Sequence, residues 1–445
     1  MATEDILESA ATVIAPELET VESESLWRNR NFVWICAGAC IATLGSQFTA
    51  LALPWVVLKM TGDSLALATV MAISGVPQIA LLLFGGGLAD RFSPKRILIG
   101  AYLICAVLLI CLGALLFAGM LQLWMIDIFA FTTGLVFGIS VPASFSMIAA
   151  ALPSHMVPSA SSVIGSVRQG FAFVGPLLAG ALLGLAGEGH SIGQPLGSQP
   201  IFATAFFLDG AGLLLMAWAT AHIAFRPVAT GDGMTRGGLS ILPALRWFLS
   251  DRQVMTVIVY WTIIVFFFSG SVRVALPLLA EQSTALGAKA YGILVSANSA
   301  GVFVGMTALG LLRRFVVGRL WPIILGLDVL AAGLAIIIGV LHPALSMAIF
   351  VYAAMLVLVG TRSGFVEIGW FSLLQQRYPD DIRGRATSIF MVISTANMAA
   401  SVTFAGWLTR HMPASELFVF AGLATAAVVL VSALLRATGV LRIDA

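Results

Sequence analysis

Long apolar runs alternate with short polar breaks along the whole chain. A run of about 20 apolar residues spans a bilayer as a helix. Twelve such runs fall near 32–58, 64–88, 96–118, 121–149, 159–186, 201–224, 254–279, 290–312, 320–341, 344–373, 385–409 and 415–437. Most breaks are short, as suits antiparallel helix neighbours. Two are longer: 187–200, rich in Gly, Ser and Pro, and 225–252, which divides the chain. The pattern predicts an all-α membrane protein with twelve transmembrane helices in two pseudo-symmetric six-helix bundles. An acidic tail covers 1–29, the first bundle 30–224, an inter-bundle loop 225–252, and the second bundle with a short tail 253–445.

The pseudo-symmetry rests on internal matches. Ala52-Leu53-Pro54 returns 223 residues later as Ala275-Leu276-Pro277. Pro153, Ala160 and Gly180 return 226 residues later as Pro379, Ala386 and Gly406. A near-constant offset is the mark of two halves with parallel topology.

Composition excludes a soluble protein. Sixty per cent of the residues are hydrophobic and ten per cent charged, against about 25% charged in soluble domains. Charge placement sets the expected orientation: with both termini on one side, that side carries 17 of the 23 Lys and Arg residues. The asymmetry predicts a multi-pass membrane protein with cytoplasmic termini. Residues 1–27 are acidic and lack the basic start and apolar core of a secretory signal. Cys36, Cys40, Cys105 and Cys111 lie in apolar runs without metal or disulfide spacing, and the five histidines have no metal-ligand spacing. No metal, cofactor or nucleic acid is expected. Nor is an enzyme, since no nucleophile–base set or phosphate loop is visible. The bilayer is the expected partner, together with a small molecule.

The most informative segment is Gly86-Gly87-Leu88-Ala89-Asp90-Arg91-Phe92-Ser93-Pro94-Lys95-Arg96, a charged turn between two spans. A faint echo, Gly310-Leu311-Leu312-Arg313-Arg314-Phe315, lacks the acid. The Gly-x-Leu-Ala-Asp-Arg pattern followed by two basic residues resembles the cytoplasmic-loop motif of the major facilitator superfamily. Ser93 and Pro94 stand where that family usually has Gly and a basic residue. The resemblance implies that Gly86, Asp90, Arg91, Lys95 and Arg96 form a cytoplasmic gate motif that holds the halves together in an outward-open state. The positive start of the helix after Pro379-Asp380-Asp381 would attract Asp90.

Gly175, Pro176 and Gly180 are similar to the Gly-Pro motif of family exporters with antiport activity, with Ala179 and Phe171 where further glycines would stand. Ser162, Ser166 and Gly170 extend a small-residue face in that span, as Gly301 and Gly305 do in another. Such faces let helices approach closely. Asn31-Phe32, Thr43-Leu44-Gly45, Ala52-Leu53-Pro54-Trp55, Thr61-Gly62-Asp63-Ser64-Leu65-Ala66-Leu67 and Leu374-Gln375 with Gly384-Arg385 resemble one branch of the family. That branch holds bacterial macrolide-type drug exporters and exporters of catecholate siderophores such as enterobactin. Ser46 replaces an acid common there. The branch implies export out of the cytoplasm across a bacterial cytoplasmic (inner) membrane, with protons as the coupling ion; the expected protein is a monomer that moves a small amphipathic, drug-like molecule by alternating access. The alternatives are a siderophore or other metabolite exporter, a proton-independent uniporter, and a non-transporting sensor on the same fold.

Six charges fall inside the spans: Asp127, Arg168, Asp209, Asp328, Arg362 and Glu367. Each costs at least about 2.5 kcal/mol at mid-bilayer, so each needs a partner or a task. The family fold lines its cavity with spans 1, 4, 7 and 10, which selects Asp127, Arg362 and Glu367. Glu367 lies about 10 Å from the inner face, Arg362 about 18 Å, and Asp127 about 9 Å from the outer face. Glu367 is the first candidate for a proton-carrying acid and Asp127 the second. Matching depths also make Arg362 with Asp328, and Arg168 with Asp209, candidate ion pairs. Trp370, Phe371 and Phe365, with Phe131 and Phe137, are candidates for an aromatic cavity wall.

Overall fold

A computed structural model describes residues 26–89, 93–153, 156–184, 200–224, 250–283, 287–311, 320–340, 348–377 and 380–437. Twelve spanning helices account for nearly all of them. In chain order they are α1 (Arg30–Thr61), α2 (Ser64–Ala89), α3 (Pro94–Phe117), α4 (Leu123–Ala151), α5 (Val157–Gly184) and α6 (Pro200–His222). The second half holds α7 (Arg252–Gly270, a π-helical turn Ser271–Ala275, then Leu276–Ser283), α8 (Ala288–Leu311), α9 (Leu320–Val340), α10 (Ala348–Arg377), α11 (Asp380–Leu408) and α12 (Ala414–Ala437). All twelve are long and apolar enough to cross a membrane. Most boundaries fall within a few residues of those expected. The largest departure is α11, which begins five residues early, at Asp380.

Local chemistry explains the helix ends. The Asn29 side chain accepts from the amides of Asn31 (3.0 Å) and Phe32 (3.3 Å), capping α1. Gly62 ends α1 in the left-handed region (φ 64°), where its amide donates to the Leu58 carbonyl at 2.8 Å. Asp63 then caps α2 by accepting from the Leu65 amide at 2.8 Å. Asn31 reaches across the first bundle: its Nδ2 donates to the carbonyls of Ala151 (3.0 Å) and Ala224 (2.8 Å), and its Oδ1 accepts from the Ala224 amide (3.1 Å). One amide side chain therefore ties the ends of α1 and α4 to the end of α6.

α7 carries Pro277, whose ring would meet the carbonyl four residues back, that of Arg273. The helix widens into the π turn immediately before it. α11 satisfies the backbone groups this region frees. Ser401 Oγ accepts from the Gly270 amide at 2.7 Å and donates to the Phe266 carbonyl, while Asn397 Nδ2 donates to the Thr262 carbonyl at 3.1 Å.

Within the bundles, α2 packs on α4, α3 on α6, α8 on α10 and α9 on α12. The α8–α10 crossing brings backbones into contact. A Cβ on Gly301 would stand 2.0 Å from the Val357 carbonyl oxygen, and one on Gly364 would stand 2.1 Å from that of Val302. Gly134 and Gly138 make the equivalent approach of α4 to α2, and they lie 226 residues before Gly360 and Gly364. The internal repeat therefore extends to the closest helix contact in each half.

Between the bundles, α5 packs on α8 and α2 on α11. One buried core, including Trp55, Ala179, Leu279, Tyr291 and Phe418, runs through both bundles at the end away from the termini. At the terminal end the cores are separate. Phe32, Leu98, Ala151 and Ile223 belong to the first bundle, and Trp261, Trp321, Ile324 and Phe365 to the second.

Candidate transport site

The junction away from the termini is built from both halves. Gly180 on α5 meets Gly292 on α8, with 2.7 Å between an added Cβ and the facing Cα. Gly406 on α11 meets Ala68 on α2 as its pseudo-symmetric counterpart. Trp55 stacks on Tyr291 at 6.3 Å between ring centroids. Ser64 and Thr409 share a 2.6 Å hydrogen bond, and Arg410 Nη2 donates to Asp63. Towards the other end of α5 the inter-bundle contacts thin out after Gln169, whose Nε2 donates to the Ser299 carbonyl of α8 at 3.3 Å. Gly165 and Gly170 have no neighbour within 4 Å of an added Cβ, and Ser162, Ser166 and Arg168 are exposed. Among the described residues, the closest contacts between the bundles gather at the loop end.

The Gly-Pro motif is part of that junction. Gly175 leaves room for the Gln47 side chain of α1, Pro176 and Gly180 lie against Gly292, and Pro176 sits inside α5. The expected gate motif at the terminal end is placed only in part. Gly86 lies in the last turns of α2, while Asp90 and Arg91 are outside the described residues. Lys95 donates to the carbonyls of Ala221 (2.7 Å) and Ile223 (2.8 Å), so it caps the end of α6. Arg96 is exposed.

In the second bundle, Arg362 Nε donates to Asp328, and Tyr260 Oη–H donates to the other Asp328 oxygen. All three side chains are buried, Asp328 completely. This network joins α7, α9 and α10. Glu367 lies five residues beyond Arg362, about 140° around the helix, and faces elsewhere. It is exposed even though protein surrounds it on most sides, and it has no hydrogen bond or ion pair among the described residues. Asp127, the fifth residue of α4, is half-buried, without such a partner and with far less protein around it.

The first bundle differs from expectation. Arg168 is exposed on α5, and no hydrogen bond or ion pair joins it to Asp209. Asp209 is 4% exposed and packs on α1, where a Cβ on Gly45 would stand 3.0 Å from its Oδ1. Equal depth along two helices does not imply facing sides. The aromatic wall also needs revision: Phe365 is buried in the core of the second bundle, whereas Phe131 and Phe137 on α4 are exposed. The side chains of Trp370 and Phe371 lie outside the description. Arg273, exposed in the π turn with Tyr291 nearby, was legible only as a cation near a span end. Among the described residues, no three or more His, Cys, Asp or Glu gather where a metal could bind.

Twelve apolar helices in two pseudo-symmetric bundles that meet at the loop end are the architecture of a multi-pass membrane transporter for a small molecule. The chain belongs to the Major Facilitator Superfamily, whose family model matches residues 35–402. No curated protein matches it. Solved structures share the fold at low identity. One is a POT family transporter in complex with a thioalcohol-conjugated peptide (TM-score 0.68, 12% identity, 92% of this chain and 96% of that one). A second is a D-xylose–proton symporter (0.63, 15%, 92% and 97%). A third is a bacterial homologue of the human lysosomal transporter Spinster, inward-facing and unoccupied (0.64, 14%, 92% and 95%).

Proposed function

We propose that this protein is a secondary active exporter that moves a small amphipathic, drug-like molecule out of the bacterial cytoplasm in exchange for protons. The observation that carries the reading is Glu367 on α10: an acid enclosed by protein, reached by solvent, and without a hydrogen-bond or ion-pair partner among the described residues. An unpaired intramembrane carboxylate is functional by default, and burial with access to solvent suits a group that must take up and release a proton. The nearby Arg362 is already neutralised by Asp328, which leaves Glu367 free to change charge without disturbing the bundle. Asp127 is the weaker candidate because it is less enclosed.

With cytoplasmic termini, as the basic residues at that end support, the junction of Gly180, Gly292, Asp63 and Arg410 is the closed outer gate. Alternating access then requires this junction to part while the terminal ends close, with the motif around Gly86, Asp90, Arg91, Lys95 and Arg96 at the inner gate. Exposed Phe131 and Phe137 suit a lipophilic or aromatic solute. The macrolide-type and siderophore-exporter branch supplies the substrate classes to try first.

The test is proton flux in proteoliposomes under an imposed pH gradient, with a lipophilic dye and a catecholate as solutes. Solute-dependent proton movement that is lost in Glu367→Gln is the expected result. Solute movement without proton flux would make the protein a uniporter and Glu367 a structural residue.

A further inference from the structure

Asp209 and Asp328 are both buried carboxylates, and the fold treats them differently. Asp328 receives a guanidinium and a phenol. Asp209 receives neither: Thr49 lies alongside, yet neither Asp209 Oδ1 nor Thr49 Oγ1 has a hydrogen-bond partner among the described residues. Beside them is a cavity of about 270 Å³ enclosed by α1, α3, α4 and α6. Its floor is Asp209 with buried apolar side chains. Exposed Ser46 on α1 and Phe137 on α4 mark its opening, with Thr133 and Ser140 along the wall.

A lone ionised carboxylate in such a setting carries a large desolvation cost, and the usual remedy is neutralisation. The titratable groups around it offer no cation. α3 contributes Tyr102 and Cys105, α1 and α4 contribute hydroxyls and apolar side chains but no titratable group, and Arg168 on α5 is close enough to act on Tyr102 without bonding to Asp209. Oδ1 of Asp209 is enclosed by protein, and the residue borders the cavity; a proton needs no more room than that. Five hydroxyl-bearing residues, Ser46, Thr49, Tyr102, Thr133 and Ser140, stand among its apolar lining, and its volume has room for water.

We infer that Asp209 is a proton-binding site of the first bundle, loaded and unloaded through the cavity beneath Ser46 and Phe137. This site is separate from Glu367, which belongs to the other bundle, and it stands whether or not Glu367 couples transport. Thr49 is its positioning residue: its hydroxyl can turn to accept from the protonated acid or donate to the carboxylate. If Glu367 acts as proposed above, the cycle has two proton-binding sites, one in each half.

Infrared difference spectroscopy of the full chain in liposomes, titrated in pH, tests this. The expected result is a weakly hydrogen-bonded protonated-carboxyl C=O band that fades as pH rises, is absent in Asp209→Asn and persists in Glu367→Gln. Mass spectrometry of the unmodified chain after treatment with a hydrophobic carbodiimide, which reacts with protonated carboxyls, covers the case in which the variant does not fold. Label on the Asp209 peptide should diminish with rising pH. Superimposable wild-type and Asp209→Asn spectra, or a band and label indifferent to pH, would overturn the inference. Loss of the band in Glu367→Gln as well as in Asp209→Asn would also overturn it, since the sites would then not be separate.

Discussion

Gly180 on α5 faces Gly292 on α8 so closely that one added carbon on Gly180 would stand 2.7 Å from the Gly292 Cα. No flexible side chain is there to yield, so a larger residue must push the helices, and with them the bundles, apart. Gly180→Val is therefore expected to weaken the sealed state by about 1–3 kcal/mol, a shift of about 5–150-fold in population. Pulsed spin-label distances between the loop-end tips of α5 and α8 should lengthen. Gly170→Val, made where nothing lies within 4 Å of an added Cβ, should leave them unchanged.

Asp328→Asn would leave Arg362 buried and charged without its carboxylate. Breaking a buried pair in this way costs about 3–5 kcal/mol, so the thermal midpoint of the purified protein should fall sharply. Asp328→Leu combined with Arg362→Met should recover much of the loss, since both charges then leave together. Tyr260→Phe removes only a hydrogen bond to a charged group and should cost about 1.5–3 kcal/mol.

The pair of Asp63 and Arg410 links the α1–α2 turn to the end of α11 at the sealed junction. The hydrogen bond from Arg410 holds the Asp63 carboxyl below its ordinary value, and the Leu65 amide assists against partial burial. A lowered value means that the contribution is complete above the usual carboxylate range and is lost as pH falls through the lowered value. The sealed state should thus weaken only in acid. Fluorescence transfer between labels on the adjoining tips of α1 and α11 should register opening there, and Arg410→Gln should open the tips slightly at neutral pH and abolish the acid step.

Lys95 distinguishes a cap from a latch. Because it donates to the Ala221 and Ile223 carbonyls, Lys95→Met should destabilise the first bundle by about 0.3–2 kcal/mol, the worth of a cation at a helix C-terminus. Amide exchange should speed up in the last turn of α6. A residue serving only an inter-bundle latch would leave that turn's exchange unaltered.

The outcome at each buried charge follows from what a one-dimensional reading can carry. Arg362 and Asp328 matched in depth and also in rotation, so they met. Arg168 and Asp209 matched in depth alone. Depth accumulates predictably at about 1.5 Å per residue. Rotation about the helix axis is set by packing, and in a membrane an apolar face does not reveal whether it meets lipid or protein. Phe365 turned inward for the same reason, and the Lys95 cap depended on where the distant end of α6 came to lie.

By itself, the sequence determined the number of spans, nearly all their ends, the division into two related halves and the short list of charges that needed explaining. These properties depend on local apolar length, on charge and on a repeat offset, all of which are written along the chain. Tertiary structure alone decided which end is sealed, that Gly134 and Gly138 repeat the crossing made by Gly360 and Gly364, that Asp63 reaches Arg410 across 347 residues, and that Asp328 meets a cation while Asp209 meets none among the described residues. Each of these is a choice of helix face or of bundle tilt. Such choices emerge only when twelve helices pack at once, because backbone clearance, side-chain volume and hydrogen-bond direction must then be met together.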